Sequence, residues 1–97
     1  MEYDYIKETV LNVLIVNGLV EKNESLTLSF NKNILITDTK AFLIIDLLNP
    51  VNNNQMKDFQ ATFIKILKTK KINGYIIYLK DKGELLIYHF DLNSEIT

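Results

Sequence analysis

Apolar residues recur every three or four positions from about Asp4 to Asn17, through Ile6, Val10, Val13 and Leu14. That is the period of one face of an α-helix. Asp4 is expected at its N-cap, with Glu2 nearby where the helix dipole favours negative charge. Gly18 is expected just past its end, in the left-handed conformation that glycine tolerates. The period then changes to two. In Ser25 to Phe30, Leu26, Leu28 and Phe30 face one way, and Thr27 and Ser29 the other. Asn31-Lys32-Asn33 reads as a turn, because asparagine accepts left-handed backbone, and Ile34 to Thr37 as the returning strand. Ala41 to Leu48 predicts a third strand, apolar on both faces except at Asp46.

After Pro50 the helical period returns. Asn52 to Lys71 predicts a second helix with a stripe of Met56, Phe59, Phe63 and Leu67, of which Phe59 and Phe63 should be buried against a sheet. Lys68, Lys70 and Lys71 crowd its C-terminal end, where cations suit the dipole, and Asn73-Gly74 is expected to end it. Tyr75 to Lys80 and Glu84 to Leu92 predict a last hairpin around Asp81-Lys82-Gly83. The fold class is therefore α+β: one small domain over residues 1–97, in the order α-β-β-β-α-β-β, with a mainly antiparallel sheet packed by two helices.

The strands carry more apolar surface than a sheet with one wet face requires. Phe42, Ile44 and Leu48 oppose Leu43, Ile45 and Leu47; Leu86, Tyr88 and Phe90 oppose Leu85 and Ile87. An antiparallel sheet solvated on one side alternates apolar with polar. Either the two helices cover both faces, or they share one and the other meets a second chain. On the latter reading Phe42, Ile44, Leu48, Tyr88 and Phe90 are the candidate protein-interaction residues.

Composition narrows the function. A chain of 97 residues, 47% of them hydrophobic, suits one core and gains from further burial by association. With 11 basic and 12 acidic residues it has no strong field to steer nucleic acid or an anionic membrane. Every basic residue is Lys, so the forked guanidinium that grips phosphates and guanine edges is missing. There is no Cys, which excludes disulfides and thiolate metal sites. The acidic start Met1-Glu2-Tyr3-Asp4 does not read as a signal peptide, and no apolar run has the ~18 residues of a membrane span. The expectation is a cytoplasmic protein without nucleic-acid or membrane partners.

Candidate chemistry is sparse. The αβββαβ start resembles the core of PD-(D/E)xK nucleases, which gather an acid from one strand and an acid-x-Lys from the next around a metal. Asp38-Thr39-Lys40 has the letters but falls in a turn, and Asp46-Leu47-Leu48 on the third strand lacks the Lys. His89 is the single histidine and has no nucleophile or carboxylate beside it in sequence. Gly18, Gly74 and Gly83 stand at predicted element ends, not in a phosphate-binding loop. The expectation is no catalysis, no metal and no cofactor.

From Leu11 to about Leu92 the layout also resembles class I type III secretion chaperones. The residues are Gly18-Leu19 after the first helix, the Leu26-Thr27-Leu28-Ser29-Phe30 strand, the Met56 to Leu67 helix and the Gly74 to Leu92 hairpin. The resemblance implies a homodimer that holds an extended client segment on apolar surface. The leading expectation is thus a non-catalytic protein-binding module. A small phage or bacterial inhibitor or immunity protein that blocks one enzyme is the alternative, and a metal-dependent nuclease the remote one.

Overall fold

A computed structural model of the chain describes residues 2–22, 27–28, 33–81 and 84–91. The elements are α1 (Glu2–Val16), β1 (Thr27–Leu28), β2 (Ile34–Ile36), β3 (Lys40–Asp46), α2 (Asn53–Lys70), β4 (Asn73–Asp81) and β5 (Glu84–Phe90). The expected α+β order is the one observed. Of the first expected strand only Thr27 and Leu28 are described; Leu26, Phe30 and the Asn31-Lys32 turn lie outside the described residues, as do Lys82 and Gly83.

The strands form one five-stranded sheet in the order β1-β2-β3-β4-β5. Neighbours are antiparallel except β3 and β4, which run parallel in a continuous register from Lys40↔Asn73 to Asp46↔Leu79. The parallel pair follows from α2. Its 18 residues carry the chain back about 27 Å, so β4 starts beside the start of β3.

Both helix ends are built from local chemistry. At the end of α1, Gly18 has φ 76°. Its N–H donates to the Ile15 carbonyl (3.0 Å) and the Leu19 N–H to the Leu14 carbonyl (2.9 Å). This is the paired bonding of a Schellman cap, as expected at Gly18. The helix begins earlier than expected, at Glu2, so Asp4 lies inside it and is not its cap. At the start of α2, Asn52 and Gln55 cap each other's backbone N–H groups reciprocally. That helix ends at Lys71, a non-glycine residue in left-handed conformation (φ 54°) whose N–H donates to the Leu67 carbonyl at 2.9 Å. Asn73-Gly74 does not end the helix but opens β4. Packing overrides the turn signal: Gly74 is buried, and a Cβ there would stand 2.5 Å from Leu67 Cδ1.

The two helices lie on opposite faces of the sheet. On one face Val10 and Leu14 of α1, with Val20 after it, close over Leu35, Phe42, Ile44 and Ile77. On the other face Phe59, Phe63 and Leu67 of α2 close over Ile34, Ala41 and Leu43. The apolar character of both sides of β3 is therefore spent on two cores.

Candidate functional site

The five residues expected to share one accessible face do not share it. Phe42 and Ile44 are fully buried beneath α1, which corrects their assignment to an interaction surface. They point to the other side of the sheet from Leu86, Tyr88 and Phe90. Phe90 is half-buried against the α2 core, its ring 5.4 Å from that of Phe63 in an edge-on pair. Leu48 is 50% exposed and Tyr88 52% exposed.

Around Tyr88 the sheet builds a site that sequence reasoning found only in part. Antiparallel pairing sets Ile76 opposite Tyr88 and Tyr78 opposite Leu86, all on the α2 side of the β4–β5 hairpin. The Tyr78 and Tyr88 rings meet edge to face at 5.7 Å. Just after β3, the Leu47 N–H donates to the Leu79 carbonyl at 2.9 Å, which pins Leu47 to the neighbouring strand. Leu47, Ile76, Tyr78, Lys80, Leu86 and Tyr88 together line a concavity of about 440 Å³. Ile76 also lines a smaller recess against α2, with Leu43, Gln60, Phe63, Ile64 and Phe90. Leu47 and Leu86, like Tyr88, stay largely open to solvent.

The electrostatics of this site are slight. Lys80 pairs with Glu84 at 3.5 Å across the hairpin end, with both side chains about half exposed. Such exposed pairs contribute little. No buried side-chain nitrogen or oxygen among the described residues lacks a hydrogen-bond partner. The site therefore offers shape and apolar contact, with aromatic edges, and hardly any polar readout.

The candidate acids are dispersed. Asp38 is exposed in the β2–β3 turn, which Thr37 holds together: its Oγ accepts from the N–H groups of Thr39 (3.2 Å) and Lys40 (3.0 Å). Asp46 ends β3, about 20 Å along the strand from Lys40 at the usual rise per residue. Its Oδ1 accepts from the N–H groups of Leu48 (2.9 Å) and Asn49 (3.2 Å), so the carboxylate caps the turn after β3. In the acid-x-Lys position Leu48 stands where a Lys would. Just before β2 the neutral Asn33 lies opposite Ile44, and its Nδ2 donates to the Ile44 carbonyl at 3.0 Å. Among the described residues no group of three or more His, Asp or Glu side chains is placed to hold a metal ion.

His89 lies on the outer strand, exposed, with its ring edge-on to Tyr75 at 5.2 Å. Tyr75 in turn stacks on Phe42 at 5.3 Å. The three rings form a row across β3, β4 and β5 on the α1 side, matching their register. Such rows are cross-strand packing pairs.

No protein-family model, no curated protein and no solved structure matches this chain. Among the described residues no helix is long and apolar enough to cross a membrane.

Proposed function

We propose that this protein is a non-catalytic binding module that holds another protein on the α2 side of its β4–β5 hairpin. One observation carries the reading. Leu47, Leu86 and Tyr88, each 40–52% exposed, line a single concavity, although two helices are already present to cover the sheet. Large apolar residues gathered on one soluble surface are characteristic of protein contact sites. Tyrosines at the floor of such a patch suit the role of anchors.

The lack of catalysis is supported by the side chains that occupy the nuclease-like positions. An apolar Leu48 stands two residues after Asp46, where the motif has its Lys, and Asp46 is engaged in capping its own turn. A client held in extended form, as the resemblance to secretion chaperones implies, would suit the strand-lined floor.

The test compares capture of proteins from the source cells by the wild type and by Leu47→Glu. Leu47 is chosen because it lies away from the sheet edge. A partner bound by the wild type and lost with Leu47→Glu is the expected result. A partner retained by that variant, with the chain folded, would move the binding site elsewhere. Capture of an enzyme whose activity the protein inhibits would favour the inhibitor or immunity reading over the chaperone one.

A further inference from the structure

We propose that β5 pairs edge to edge with β5 of a second copy of this chain, antiparallel and centred on Ile87. The inference deepens the binding reading, since it names one occupant for the margin of the same open surface.

The strand order leaves β5 on the outside of the sheet. Its inner side is bonded to β4 along a nearly continuous register from Gly74↔Phe90 to Leu79↔Leu85, and the register irregularity falls at Leu79/Asp81, by the hairpin end. One row of backbone N–H and C=O groups therefore faces outward, with no strand beside it among the described residues. A row of that kind is a template for another strand.

Proteins usually blunt such an edge by shortening it, bulging it, or placing Lys or Pro on it. The described part of the opposite edge, β1, has only two residues. β5 has seven, Glu-Leu-Leu-Ile-Tyr-His-Phe, with no Lys, no Pro and no interior bulge. Its single acid, Glu84, stands at the end and pairs with Lys80.

The sequence of β5 is compatible with its own reverse. Pairing about Ile87 places Ile87 beside Ile87 of the partner subunit. On the α2 side Leu86 meets Tyr88 of the partner subunit, and Tyr88 meets Leu86 of the partner subunit. At the strand ends of that same side Glu84 falls opposite Phe90 of the partner subunit, while on the α1 side Leu85 faces His89 of the partner subunit. No like charges oppose one another, and the central contacts are aliphatic or aromatic, the pairs that stabilise antiparallel ladders. This self-complementarity is what a two-fold interface requires. Leu86 and Tyr88, 40% and 52% exposed in one chain, are the side chains the pairing covers.

The interface is small. A strand pair with two covered side chains from each copy falls below the ~1,600 Å² of a standard interface. Dissociation in the micromolar range is therefore expected, an affinity of ~8 kcal/mol.

Sedimentation equilibrium of the wild type at ~10–100 μM, a range above such a dissociation constant, is expected to give a mass approaching twice the 11.3 kDa of one chain. Tyr88→Lys is expected to weaken association at least about tenfold, because an edge lysine opposes pairing. Leu86→Lys serves if that variant fails to fold. Because the chain has no Cys, a single introduced thiol reports the register. Ile87→Cys should crosslink to its copy under mild oxidation, since opposed residues in an antiparallel pair fall within disulfide reach. Val16→Cys, on the 84% exposed end of α1, is the control for random collision. A wild type that is monomeric throughout the range, or an Ile87→Cys chain that crosslinks no faster than Val16→Cys, overturns the proposal. A monomer that still loses its captured partner with Leu47→Glu would leave the binding reading intact. A crosslinked dimer whose partner ignores Leu47→Glu would move the partner's site off this concavity and keep the self-pairing.

Discussion

The two faces of the sheet are covered to different extents. On the α1 side, one helix and the segment after it close over β2, β3 and β4, and Leu85 and Ile87 of β5 pack partly against the same core. On the α2 side, the helix closes over β2 and β3 and reaches Phe90, but Leu86 and Tyr88 are left open. The cause is in the connections. α2 is the crossover between two adjacent parallel strands, so it must lie near their seam. Small residues fix it there. Ala41 and Gly74 are register partners, and Leu67 and Phe63 reach down to Gly74. α1 precedes the sheet and has no such constraint. An open patch can thus arise from chain connectivity, without any unusual residue in it.

The largest effects are expected inside the two cores. Phe42 and Phe63 are the largest fully buried side chains, one on each face. Phe42→Ala and Phe63→Ala should each cost about 3–5 kcal/mol in denaturant unfolding. If Phe63→Ala cost far less, α2 would be a loosely held layer and the contrast would lie in stability as well as coverage. A smaller effect is expected at Gly74. Gly74→Val fills the dip under Leu67 and should destabilise by about 1–3 kcal/mol through overpacking. Parent-like melting of that variant would show that the seam does not fix the helix.

Smaller effects are expected on the open side. Asp46→Ala removes the acceptor for two turn N–H groups next to Leu47 and should cost about 1 kcal/mol, typical of a lost side-chain cap. It should leave magnesium- and manganese-supplemented nuclease assays unchanged from the wild type; a nuclease activity that Asp46→Ala abolishes would overturn the non-catalytic reading. Tyr88→Lys should change stability by no more than about 0.5 kcal/mol, as expected for an exposed position. A large loss would place Tyr88 in an ordinary core.

Much of this was legible in the chain. The Phe59, Phe63, Leu67 spacing gave the buried stripe of α2, and Gly18 marked the end of α1. The two-sided apolar run of β3 signalled that both its faces meet something. It did not reveal that the something was α1, because periodicity describes one element and carries no record of which helix lies above it. Phe42 and Ile44 were misassigned for that reason. Gly74 was misread because Asn-Gly has a strong local preference for turns, whereas its role here is set by Leu67 from another element. Leu47 and Tyr78 were missed as site residues. Their proximity depends on the parallel pairing of β3 with β4, which strand patterns alone do not encode.

That parallel pairing also bears on how the chain folds. The β4–β5 hairpin closes over a handful of residues, whereas Lys40 and Asn73 must meet across the whole of α2. Loop-closure entropy makes the longer connection about 2 kcal/mol harder to close. The hairpin and α2 are therefore expected to form early, and the central β3–β4 ladder to lock in late. Until it does, Ile77 and Leu79, buried in the finished fold, have no cover. The chain then passes through a stage with the α1 side of one hairpin bare, in which folding rate and aggregation compete directly with each other.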